Sequence, residues 1–297
     1  MRAIGVSTWV WTSPLRDADL AELASRVAGW GFDVLELPVE EVGDWDPVRA
    51  ARVLADHGLA ATVCLVMPPG RELVAAEAAT VAATRDYLRR VVDIAAEVGS
   101  PVIAGPAYAS VGRTWRMAEQ ERHDRIAELR DNLAPVVEHA RAAGVRVAVE
   151  PLNRYETSVL NTIGQTLAAL DGLPVDGCGV AVDVYHQNIE EKHVGAAIRS
   201  AAGRIAHVQV CANDRGAPGD DHLDWPDIVA ALTEAGYTGP LCIESFTARN
   251  ASIATAASIW RPLAPTQDAL AVDGLAFLRE LLAGGPGHRA TRGSGRS

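Results

Sequence analysis

The sequence predicts an α/β protein built as one (β/α)8 TIM barrel. Three observations predict it. Short β-rich runs alternate with longer helical patterns along the whole chain, the order that builds a parallel sheet. The count is eight strands, each followed by a helix, which closes that sheet into a barrel. The last four strands each bring a polar side chain to their C-terminal ends, where barrel enzymes keep their chemistry. No linker divides the 297 residues.

Taken in order, Ala3–Thr8 is the first strand, and Asp17–Trp30 is a helix with alanines and leucines at helical spacing. Asp33–Leu37 is the second strand and Asp46–His57 the second helix. Ala60–Val66 precedes a long Ala/Val-rich helix that ends near Val98, stopped by Gly99. Pro101–Ala104 is the fourth strand, followed by the loop GPAYASVGRTW and a helix over about Ala118–Ala143. The other strands are VRVAV before Glu150, CGVAVDVYH around Asp183, RIAHVQVCAND around Gln209 and PLCIESF around Glu244. Their helices fall near Asn161–Leu170, Asn188–Ala201, Trp225–Ala235 and Gln267–Leu282, with Asp224 as an N-cap ahead of Pro226. The barrel thus spans residues 1–283. The tail 284–297 is Gly-, Ser- and Arg-rich and reads as disordered. The insertion Ala248–Pro265 holds Ile259 and Trp260, too apolar for a free loop. It is expected to cover the barrel mouth or a subunit contact.

The bulk numbers exclude several classes. The net charge of −11 argues against nucleic acid and anionic membranes as partners. No apolar run is long enough for a membrane span, and no signal peptide is apparent at the N-terminus. The four cysteines, Cys64, Cys178, Cys211 and Cys242, sit in apolar strand-like runs without CxxC spacing and read as reduced. A cytoplasmic protein is expected, assembled as a homodimer or homotetramer.

Strand alternation sends Arg146, Ala148 and Glu150 to one face and Val145, Val147 and Val149 to the other. The same phase groups Gly179, Ala181 and Asp183, and again Cys242 and Glu244. On the seventh strand the inner set is Ile205, His207, Gln209 and Cys211. One acid at a strand end is more often a cap for the next turn. Four polar strand ends on adjacent strands in one phase are not caps, and their three converging acids would repel strongly, which a divalent cation resolves. His207 is the better generic ligand, but it lies one inward step deeper than the other last inward residues. Phase therefore favours Gln209 through its amide oxygen. The metal set is then Glu150, Asp183, Gln209 and Glu244. Oxygen-only ligands point to Mn²⁺, with Mg²⁺ or Co²⁺ as alternatives.

The motifs EPLNRYET, VDVYHQNIEE, NDRGAPG followed by HLDW, and IESF together resemble the ketose 3-epimerase family. That family includes the D-tagatose, D-psicose and L-ribulose 3-epimerases, within the xylose-isomerase-like superfamily. The resemblance covers about residues 3–283 and is densest from Glu150 to Phe246. It implies a barrel holding one Mn²⁺, Mg²⁺ or Co²⁺ on Glu, Asp, His and Glu, which map onto Glu150, Asp183, Gln209 and Glu244. Gln209 departs from the family's His, and hydroxypyruvate-isomerase-like relatives match better there. The resemblance further implies that His186 and Arg215 hold the O2 region of the sugar. Glu156 would contact the substrate or orient His186.

The expected reaction is C3 epimerisation of a free ketose. The sugar chelates the cation through O2 and O3, which stabilises the enediolate left when the C3 proton departs. Glu150 and Glu244 are the catalytic pair that removes the proton on one face and returns it on the other. Trp115, with Trp9, Trp11 and Tyr108, follows a strand and is a candidate to stack on the sugar. The competing readings are a lyase on the same site (a keto-inositol dehydratase or C-glycoside-cleaving subunit), a one-base aldose–ketose isomerase, an apurinic-type endonuclease and an inactive sugar-binding barrel. The acid charge disfavours the endonuclease, and the three intact acids disfavour the inactive barrel.

Overall fold

The computed structural model describes residues 2–285. Eight parallel strands close in sequence order: β1 (Ile4–Ser7), β2 (Val34–Val39), β3 (Ala60–Leu65), β4 (Val102–Gly105), β5 (Arg146–Val149), β6 (Cys178–Asp183), β7 (Ile205–Val210) and β8 (Leu241–Ile243). β1 pairs with both β2 and β8, so the sheet has no free edge. Around it lie α1 (Asp17–Trp30), α2 (Pro47–Asp56), α3 (Ala78–Val98), α4 (Glu119–Ala142), α5 (Ile163–Ala169), α6 (Val184–Glu190), α7 (Val194–Ser200), α8 (Trp225–Glu234), α9 (Ala251–Ala256) and α10 (Gln267–Leu282). The expected tail lies almost wholly outside the described residues.

Local chemistry explains the boundaries. Gly99 ends α3 at φ 81°, a left-handed cap that glycine adopts freely. Asp46 and Asp224 cap α2 and α8 by accepting the Arg49 and Asp227 N–H groups. The sixth unit differs from expectation. The segment read as a single helix over Asn188–Ala201 is two, α6 and α7, and α6 starts three residues earlier than a strand reading of Val184–His186 allows. The cause is Asp183, whose Oδ1 accepts the Tyr185 N–H at 2.9 Å and begins a helix where the strand stops.

The valine faces pack outward, as alternation requires. Val147, Val149, Val180, Val182, Val208 and Val210 belong to the large core shared with the helices. Ala104, Ala148 and Ala181 form a separate small-residue cluster with Val102 inside the barrel. β7 breaks the pattern once. The β6–β7 register jumps from Ile205 to His207, so Ala206 is an extra residue. Ile205 consequently joins the large core rather than the inner set, while His207 and Gln209 stay inward. At the end of β4, Gly105 has φ 146° and runs so close to β3 that a Cβ there would lie 2.3 Å from the Leu65 carbonyl oxygen. Its own carbonyl receives the Glu150 N–H at 3.0 Å, so this glycine helps seat the first acid of the mouth.

Candidate active site

The four strand-end residues converge as their phase requires. Glu150, Asp183, Gln209 and Glu244 are 5%, 0%, 2% and 4% exposed. Asp183 lies beside Gln209 in register, and Gln209 beside Cys242, two residues before Glu244. Arg215, from the loop after β7, reaches into the same place. Its Nη1 donates to Asp183 Oδ2 at 2.6 Å and to Glu244 Oε2 at 2.8 Å. Its backbone sits at φ 71°, and Ser245 Oγ donates to its carbonyl at 2.5 Å. The guanidinium carbon stands 4.0 Å from the Tyr185 ring centroid.

Electrostatics follow from this crowding. Burial, then the charges of Glu244 and Asp183, hold the Glu150 carboxyl well above its ordinary range. Burial likewise lifts Glu244, against the pull of Arg215. Burial works against the Arg215 charge, but Asp183 and Glu244 are among the groups that outweigh it, so the guanidinium stays protonated. His186 is lowered by burial, so its ring is neutral near pH 7. Its Nδ1 accepts the Asn153 N–H at 3.1 Å, and its Nε2 lies 3.1 Å from the Arg215 Nη2 donor. Nε2 also faces Glu150 Oε1 at 3.4 Å and Asp183 Oδ2 at 3.5 Å.

Sequence-predicted residues fall into two groups. Glu150, Glu156, His186, Gln209, Arg215 and Glu244 line one cavity, with Asp183 fully buried against Arg215. Glu156 reaches His186 only through Asn153, whose Nδ2 donates to Glu156 Oε1 at 2.7 Å while its backbone holds the imidazole. Trp115 is not among the cavity-lining residues. Its Nε1 donates to Glu121 at 3.2 Å and the Arg113 guanidinium lies 5.0 Å from its ring, because its loop turns toward the start of α4. Trp11 bonds Asp268, and Tyr108 is buried against the Leu160 carbonyl. Trp9 is the aromatic that does line the cavity, opposite Phe246 at 5.6 Å between rings.

The insertion expected at the mouth or a subunit contact folds as α9 and lines the mouth with Ile253, Ala256 and Ala257. Ile259 is buried with Trp9 and Phe246, whereas Trp260 is 74% exposed. Sequence reasoning missed two contributors. Phe246, in the quoted IESF run, forms part of the wall. Glu36, the acid within the apolar β2 run DVLEL, is fully buried inside the barrel. It forms a second potential ligand cluster with His207 and Cys242. There, however, His207 Nε2 is already bonded to Glu36 at 2.5 Å. The Cys242 thiol is pushed up by burial, with Glu36 adding to the effect.

The upper donor set fits a hard divalent cation. Glu150, Asp183 and His186 bring ligand atoms within 4.8 Å of one another. Gln209 Oε1 is buried with no hydrogen-bond partner, an acceptor that folding leaves unmatched at real cost. The fold and this mouth together define a sugar isomerase or epimerase of the TIM-barrel type. Residues 24–281 match the family model of the xylose isomerase-like TIM barrel. The chain is 32% identical to an L-ribulose 3-epimerase of Mesorhizobium japonicum, over 94% of this chain and 93% of the relative. It is 31% identical to a ketose 3-epimerase of Arthrobacter globiformis, over 94% and 96%. A solved L-ribulose 3-epimerase structure superposes with a TM-score of 0.88 at 31% identity, covering 96% of this chain and 95% of that one. The chain belongs to the xylose isomerase-like TIM-barrel family and, within it, to the ketose 3-epimerases.

Proposed function

We propose that this chain is a divalent-metal-dependent epimerase acting at C3 of a free ketose. Glu150, Asp183, Gln209 and Glu244 would hold the cation, Mn²⁺ by preference with Mg²⁺ or Co²⁺ as alternatives. The observation that carries this reading is the pair of raised carboxyls, Glu150 after β5 and Glu244 after β8, set apart around the ring by β6 and β7. Bound there, the cation supplies a Lewis acid that polarises the ketose carbonyl. One carboxylate takes the C3 proton, giving an enediolate, and the other returns a proton from the opposite face. His186 turns Nε2 into the cavity beside Glu150 and Asp183, with the ring held by the Asn153 N–H on Nδ1. Arg215 donates to the same region. Phe246, Trp9 and α9 shield the reacting carbon from water.

A free sugar is favoured because, among the described residues, Arg215 is the single Lys or Arg lining the cavity, and its guanidinium is engaged by Asp183 and Glu244. A phosphate would lack a partner. The tie between His207 and Glu36 supports Gln209 as the ligand on β7. A homodimer or homotetramer belongs to the same reading, supported by the exposed Trp260. So does a cytoplasmic setting, supported by four free cysteines. Among the described residues no helix is long and apolar enough to cross a membrane.

The test is hydrogen exchange at C3 over a ketose panel in D₂O with Mn²⁺, followed by NMR. Deuterium at C3 accompanied by the C3 epimer is expected. Exchange at C1 alone would replace the epimerase by a one-base isomerase, and loss of water or an aglycone would replace it by a lyase.

A further inference from the structure

Beneath the mouth lies a buried polar chain that the proposed proton transfers do not use. Glu36, on β2, accepts from three donors: His207 Nε2 at 2.5 Å, Gln209 Nε2 at 3.0 Å and Thr62 Oγ1 at 3.3 Å. All four side chains are buried. Gln209 Nε2 also donates to Glu244 Oε1 at 2.6 Å. Both amide protons of Gln209 therefore end on carboxylates, and Oε1 is left without a partner. An amide has nearly the same shape either way round, so shape cannot choose which end faces the acids. Charge can. Turning the amide over would set its oxygen against Glu36 Oε1 and Glu244 Oε1, the two oxygens that now accept its N–H groups.

We propose that Glu36 is a positioning residue that fixes the amide of Gln209 so that Oε1, not Nε2, is offered to the cation. The inference rests on the proposed metal site. His207 acts one step further back. By donating Nε2–H to Glu36 Oε2 it leaves Oε1 free to receive the Gln209 amide. This gives the histidine a role other than ligation, and it accounts for an acid placed in the middle of an apolar strand. Its cost there is offset by three hydrogen bonds. Partners behind a ligand of this kind alter metal affinity by about 10- to 100-fold when removed.

The experiment is a double-mutant cycle read by Mn²⁺ affinity, using the EPR signal of free Mn²⁺ on the full chain. Glu36→Gln keeps shape but can both donate and accept, so it permits either orientation of Gln209. It should raise the Kd for Mn²⁺ about tenfold or more. In Gln209→Glu both ends of the side chain are oxygen and orientation carries no meaning. Adding Glu36→Gln to that background should raise the Kd by less than about threefold. A Kd for Glu36→Gln equal to wild type would overturn the proposal, as would equal losses in both backgrounds, which is what a merely structural acid would give. Wild-type protein that binds no Mn²⁺ would overturn the metal site itself, and the positioning role with it. Should Glu36→Gln fail to fold, the unmutated chain still answers. With ¹⁵N-glutamine labelling, both Gln209 side-chain amide protons should exchange slowly with solvent, and fast exchange would sink the idea.

Discussion

Replacing Glu150 or Glu244 by Gln keeps an oxygen at the mouth and removes the only proton it can carry near neutral pH. Either substitution should lower kcat for epimerisation by about 10²–10⁴-fold while leaving a folded protein, and exchange of the C3 hydrogen from a single face can survive. Steady-state assays and NMR exchange on both variants check this. Near-wild-type epimerisation by either variant would end the two-carboxylate scheme. These acids were legible in the sequence because strand phase alone aims them. Glu36 was not, because one acid inside DVLEL carries no sign of the His207 and Gln209 side chains that meet it across the barrel. Trp115 misled for a related reason. Its position after a strand says nothing of the loop's direction, which Ser158 and Glu121 decide by bonding its backbone and its indole.

At the scale of elements, α9 is the part most open to change. It is a short helix, and Ile253 turns one apolar side chain onto the cluster of Trp9 and Phe246. Ile253→Asp would set a charge in that wall. KM for a ketose should rise more than tenfold, with the melting temperature of the barrel falling only slightly. An unchanged KM would mean that α9 is no part of the sugar's enclosure. The strands and long helices were readable from period and caps, and Asp17–Trp30 coincides with α1 residue for residue. The failures sit where a side chain overrides the pattern. Asp183 starts α6 inside what reads as strand, and an extra residue at Ala206 turns Ile205 outward. Neither is visible in alternation, since both depend on what a neighbouring element offers.

For the whole molecule the mouth ties stability to pH. The Glu150 and Glu244 carboxyls are held above their ordinary value of about 4.5, first by burial. The native state therefore binds more protons than the unfolded chain above that value, and this contribution to stability falls as pH rises through the interval. A divalent ion taken up by the same oxygens displaces those protons and removes the loss. The gain in melting temperature of Mn²⁺-loaded over EDTA-treated protein should thus be positive and grow between about pH 5 and about pH 8. Differential scanning calorimetry across that range measures it. A gain of zero would mean the acids bind no metal, and a gain that shrinks with pH would reverse the sign argued here.

Arg215 gives that comparison a further meaning. Its guanidinium already spans Asp183 and Glu244, so the chain carries a tethered cation of its own at the place where the acids meet. Ion uptake at the proposed site would swap one positive charge for another, and Arg215, on its left-handed backbone, is the side chain that would have to move. On this reading the protein should stay folded without metal, and a chelator should leave the acids neutralised by Arg215. Arg215→Met would lose that insurance. It should take up Mn²⁺ faster in stopped-flow mixing and melt several degrees lower in EDTA, and a variant equal to wild type in both would show the guanidinium to be a bystander.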